Sequence, residues 1–191
     1  MVTQPAYIAN LKKYARARVG DETDIDASVA DLHNESDRGA IILASTSIED
    51  ILEYEIFKRL PGLFKDDAMR RKIFESDGLL ASFSKKIEMA YALGIIDGDY
   101  KKKIDLIREI RNACAHSRKP LAMDKEVLQE PCRIIISDFI DDIKDKEPKT
   151  IRMAFICKCA IICHYIATGE KIEGTEAQLK HFAKIQKDLN I

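Results

Sequence analysis

Apolar residues in this chain return every three or four positions almost everywhere, and no stretch alternates in the manner of a strand. That periodicity restricts the chain to helices, because residues three and four apart share a helix face whereas a half-buried strand repeats every two. Glycine and proline are few, 8 and 5 in 191 residues, and most fall where a helix would begin or end. Ser36 or Asp37 opens a long amphipathic segment with Ile41, Ala44, Ile48, Ile51, Leu52 and Phe57 on its apolar side, and Pro61-Gly62 stops it after Leu60. A shorter helix over about Asp66 to Glu75 ends at Asp77-Gly78. Another runs from Leu80 to Leu93 and closes on Gly94, placed as a left-handed residue just past the helix end.

Asp97 caps the next helix, which runs to about Ala115, and Pro120 prevents its continuation. Pro131 suits the first turn of a helix reaching Lys144. Gly169 and Gly174 separate the last two, Pro148 to Thr168 and Thr175 to Leu189. Ahead of these lie a basic amphipathic helix over about Tyr7 to Arg18 and an acidic stretch, Asp21 to Asp37, with seven carboxylates and a short helix around Ile25 to His33. The expected fold is an all-α bundle of about seven to nine helices. Residues 1–36 form an N-terminal helical arm and residues 37–191 a single core domain.

Charge and composition remove several classes of function. Thirty-one basic and thirty-two acidic residues leave a net charge of −1, unlike a strongly electrostatic nucleic-acid binder. The run Leu11-Lys12-Lys13-Tyr14-Ala15-Arg16 breaks the apolar core that a signal peptide needs. The longest nearly apolar run, Phe155 to Ala167, is interrupted by Lys158 and His164, and it is shorter than the ~20 residues of a membrane span. Five cysteines, an odd number, suit a reducing compartment. A soluble cytoplasmic protein is expected. Cys157, Cys159, Cys163 and His164 crowd together, but four ligands on one helix cannot converge tetrahedrally. They read as small residues of a core helix, and no metal or other cofactor is expected.

One segment carries chemistry. Ile107-Arg108-Glu109-Ile110-Arg111-Asn112-Ala113-Cys114-Ala115-His116-Ser117 ends an amphipathic helix and is followed by Arg118-Lys119. A guanidinium can clamp phosphate oxygens and an imidazole can move a proton near neutral pH. Between Lys101 and Lys119 stand seven basic residues and two acidic ones. Lys101, Lys102, Lys103, Arg108, Arg118 and Lys119 are therefore the candidate anion- or RNA-binding residues. Lys101 to Lys103 open a helix, where the dipole disfavours cations, so either a bound anion or plain solvation explains them. The N-terminal Lys12, Lys13, Arg16 and Arg18 are similarly open to nucleic acid or to the acidic stretch.

Four blocks together resemble the mannitol operon repressor (MtlR) family of bacterial regulators. They are Asp37-Arg38-Gly39-Ala40-Ile41-Ile42-Leu43-Ala44-Ser45 with Ile48-Glu49-Asp50-Ile51-Leu52, then Leu80-Ala81-Ser82-Phe83-Ser84-Lys85-Lys86-Ile87, then Ala90-Tyr91-Ala92-Leu93-Gly94-Ile95-Ile96-Asp97, and finally Arg111 to His116. They span about Asp37 to Leu121. The resemblance implies an all-helical regulator that lacks its own DNA-binding motif and works largely through a protein partner; self-association, with a homodimer as one form, is expected beside it. The Arg-Asn-x-x-Ala-His ending is also similar to the motif of HEPN domains, which include metal-independent ribonucleases of toxin and antiviral systems. In that reading RNA is the ligand, His116 moves the proton, Arg111 stabilises charge on phosphorus, Asn112 orients and Glu49 holds Arg111.

Two readings of the pair stay open. On an ideal helix His116 falls about 140° from Arg111, so a shared site needs either an early end to the helix or a second subunit. Alternatively Arg111 pairs with Glu49, Asp50 or Glu53, and His116 caps the last carbonyls of its helix. A helix-turn-helix around Ala90 and Gly94 fails on register, since Asp97 stands where an apolar residue is wanted and Ile96 comes one position early. Direct sequence-specific DNA binding is not expected.

Overall fold

The Ser36 hydroxyl accepts the Gly39 amide at 3.1 Å, and helix α1 (Asp37–Lys58) starts there, as the N-cap chemistry predicts. This computed structural model describes residues 32, 35–75, 77–138, 147–172 and 180. The expected helix over Tyr7 to Arg18 lies outside the described residues, as do all but Leu32 of the one around Ile25 to His33 and all but the helical Lys180 of the one over Thr175 to Leu189. Along α1 the buried positions Ala40, Ile41, Ala44, Ser45, Ile48, Leu52, Glu55 and Ile56 keep the three-and-four spacing of a helix face. A 3-10 turn, Pro61–Leu63, follows, then α2 (Asp67–Phe74), whose N-cap Asp66 accepts the Met69 amide at 2.8 Å.

Helix α3 (Phe83–Ala92) starts three residues later than expected, because Leu80 is held in a turn by its amide bond to the Ile73 carbonyl. Gly94 takes the left-handed conformation at φ +67°, as placed from sequence. Asp97 caps α4 (Gly98–His116) through the amides of Asp99 and Tyr100.

Helix α5 (Glu126–Ile136) corrects the expectation that Pro131 opens this segment: the helix begins at Glu126 and keeps Pro131 inside. The ring removes one amide donor, leaving the carbonyl of Val127, a residue 72% exposed and open to water. Leu128, Cys132, Ile135 and Ile136 are buried together on the opposite face. Each buried aliphatic side chain contributes about 1.5–3 kcal/mol, so the face outweighs the roughly 3 kcal/mol that an interior proline costs. The helix ends at Ile136, with Ser137 and Asp138 already in a turn, rather than running unbroken to the expected Lys144, and residues 139–146 lie outside the described residues.

Helix α6 (Pro148–Thr168) has Pro148 in its first turn and Gly169 at φ +75° behind it, and thirteen of its residues are buried. By length and composition it could cross a membrane, but most of it is packed inside the protein. Its partners are α1 and α5, while α1 also packs on α3 and α4. Two buried cations interrupt α6. Arg152 meets Asp37 at 3.0 Å and donates to the carbonyls of Leu32 and Glu35. Buried Lys158 meets Asp138, which also takes Lys103 of α4. Among the described residues there are six α-helices, one 3-10 turn and no strand. The fold is all-α.

Candidate functional site

The α1–α4 seam brings Arg111 and Glu49 together. Lys86 of α3, its side chain only 6% exposed, places its ammonium between Glu49 Oε1 at 3.0 Å and Glu53 Oε2 at 2.9 Å. The other oxygen of Glu49 lies 3.8 Å from the Arg111 guanidinium, which also donates to Asn112 Oδ1 at 3.1 Å. Burial alone would lower the Lys86 ammonium, but Glu49 and Glu53 outweigh it and hold Lys86 above the ordinary lysine value. Asp50 is crowded by protein although its surface is open. Desolvation, then the Glu49 charge, push it up to about 6 against the pull of Lys86.

His116 does not join this group. Helix α4 remains helical through His116, so the early end that would let the two side chains converge does not occur. Five helical residues separate them by about 7.5 Å along the axis and roughly 140° around it. Arg111, 32% exposed, faces the α1 carboxylate, while His116 is exposed and makes no hydrogen bond or ion pair among the described residues. Nor does His116 cap the helix. That role falls to Arg38, which donates to the carbonyls of Ala115 at 2.9 Å and Ser117 at 3.3 Å. A cation from another helix thus occupies the negative end of the α4 dipole.

The candidate anion-binding residues are mostly neutralised. Lys101 pairs with Asp105, Lys102 with Asp99, Lys103 with Asp138, and Arg108 with Asp105 and Glu109. Only Arg118 and Lys119 of that set are exposed with no ion pair among the described residues. An open recess of about 400 Å³ lies elsewhere, lined by Glu35, Asp37, Met123, Lys149 and Arg152 among others.

All five cysteines are buried and unbridged, and no cluster that could hold a metal exists among the described residues. Burial pushes the Cys132 and Cys163 thiols up to about 12 and raises Cys157 and Cys159 further. Thiols so desolvated are poor nucleophiles and poor ligands.

Sequence reasoning missed Lys86 and Arg38. The signal for Lys86 was present: it falls in the stripe Phe83, Lys86, Ile87, Ala90, all buried on α3. A cation in an apolar stripe must find an acid across the interface. Arg38 had no comparable signal, because its role depends on which helix end α1 lies against.

No family model matches the chain, and neither a curated protein nor a solved structure matches it.

Proposed function

We propose that this chain is a non-enzymatic cytoplasmic regulator, related to the mannitol operon repressor type by the four sequence blocks, that acts by binding a protein partner and self-associates. The observation that carries this reading is the engagement of Arg111. Its guanidinium is engaged by Glu49 and Asn112 on the α1 side, roughly 140° around the helix and about 7.5 Å along it from His116. In support of this reading, the two groups leave α4 in different directions, and the cations Lys101, Lys102, Lys103 and Arg108 that would draw RNA toward them are paired with acids.

The competing reading, a metal-independent ribonuclease, draws support from one observation: His116 is exposed, with no side-chain hydrogen bond or ion pair among the described residues, and could complete a site with Arg111 of a second copy. Incubating the purified protein with RNA in chelator, alongside Arg111→Ala and His116→Ala variants, separates them. The regulator reading expects no cleavage by any of the three. Cleavage by the parent protein that both substitutions abolish would establish the ribonuclease instead.

A further inference from the structure

Among the described residues, a group of cations with few acidic partners lies at the far end of α1, away from the α4 motif. Residues 58–72 carry Lys58, Arg59, Lys65, Arg70, Arg71 and Lys72 against Asp66 and Asp67. The two acids sit at the N-terminus of α2, where Asp66 caps the helix and Asp67 occupies the first turn. Lys58 and Arg59 share the single buried carboxylate of Glu55. Lys65, Arg70, Arg71 and Lys72 form no ion pair among the described residues.

An aromatic ring holds Arg70 in place of a carboxylate, and a second ring flanks Lys58 beside its pairing with Glu55. Arg70 lies over the Phe57 ring at 4.9 Å, and the Lys58 ammonium approaches Tyr54 at 5.4 Å. A ring steadies a cation without cancelling its charge, so the positive field persists at the surface. Phe64 packs edge-on to Phe57 with centroids 4.9 Å apart and remains 53% exposed. On the helical wheel of α2, Arg70, Ile73 and Phe74 face the protein while Ala68, Met69, Arg71 and Lys72 face solvent.

We propose that this corner, built from the end of α1, the 3-10 turn and α2, binds single-stranded nucleic acid without regard to sequence. Lys65, Arg71 and Lys72 take phosphates and Phe64 takes a base. Positive charge beside an open ring supplies both contacts that a flexible nucleotide chain offers. An acidic peptide would use the charge but has no base for Phe64. A membrane needs a contiguous apolar face, and the outward arc of α2 has Met69 between cations instead. The proposal requires neither cleavage nor His116 and stands apart from the regulator reading.

The test is fluorescence anisotropy with a labelled oligouridylate of about 12 nucleotides, long enough for one such surface. The parent protein is expected to bind, with log affinity falling linearly in log salt at about −0.7 per phosphate contact. Arg71→Glu with Lys72→Glu weakens binding at least about tenfold and flattens that slope. Phe64→Ala weakens it about fivefold with the slope unchanged, which separates stacking from charge. Lys149→Glu, on the exposed start of α6, leaves binding as it was. The altered side chains are exposed, so the folded state persists, and thermal unfolding of each variant verifies it. Absence of saturable binding, full binding by the double reversal, loss of binding through Arg118→Glu with Lys119→Glu, or tighter binding to polyglutamate or to phosphatidylserine vesicles each overturns the proposal.

Discussion

Between Lys101 and Lys119 five of the seven cations stand among carboxylates from their own helix, from Asp138 and from Glu49, and only Arg118 and Lys119 have no ion pair among the described residues. Between Lys58 and Lys72 a comparable number of cations meets only Glu55, buried below, while the rest lean on rings or stand in water. A count of basic residues along the sequence ranks the first region higher. The field at the surface ranks the second higher, because the spatial arrangement of acids decides how much charge survives. Positive residues identify a binding surface only after their partners have been subtracted.

The comparison can be broken most forcefully at Lys86. Lys86→Met keeps the volume but strands Glu49 and Glu53, so urea unfolding should show a loss of about 3 kcal/mol, the low end for a broken buried pair because the acids are part-exposed. Adding Glu53→Gln should recover part of it. A neutral Lys86→Met would mean that charge pairing does not order the α1–α3–α4 seam.

A smaller effect comes from Asp50, and its sign is set by the raised carboxyl. Between the ordinary 3.8 and about 6, the folded protein holds more protons on Asp50 than the unfolded chain does, so its contribution to stability falls as pH rises through that window. Asp50→Asn, which cannot ionise, should raise the melting temperature at pH 7 by about 2 °C, reduced from the full shift by solvent screening. The gain should vanish near pH 4. A gain that persists unchanged in acid would point to packing.

The smallest expected change sharpens the contrast from the other side. Arg70→Gln removes the contact with Phe57 and should cost about 0.5–1 kcal/mol in urea unfolding. A loss as large as that at Lys86 would show that Arg70 is a structural ion after all.

Much of the helical punctuation was legible because it is local. Ser36, Asp97, Gly94 and Gly169 act through their own backbone geometry and immediate neighbours, and they stand where their chemistry predicts. Pro131 misled because its local preference for a first turn was overridden by the burial of Leu128, Cys132, Ile135 and Ile136. The meeting of Glu49 with Arg111 could be named in advance, since both lie at the edge of apolar stripes. The insertion of Lys86 and the capping by Arg38 depend on how the helices cross, which no local pattern contains.

The burial of most of α6 has a consequence during synthesis. Everything from α1 to α5 leaves the ribosome before this helix does, and α1 and α5 must wait with the surfaces that α6 will cover turned to solvent. Once made, α6 presents a greasy cylinder with Lys158 in its middle until it docks. Chaperones that recognise such stretches therefore have a brief window here, and a chain cut short before Pro148 should precipitate.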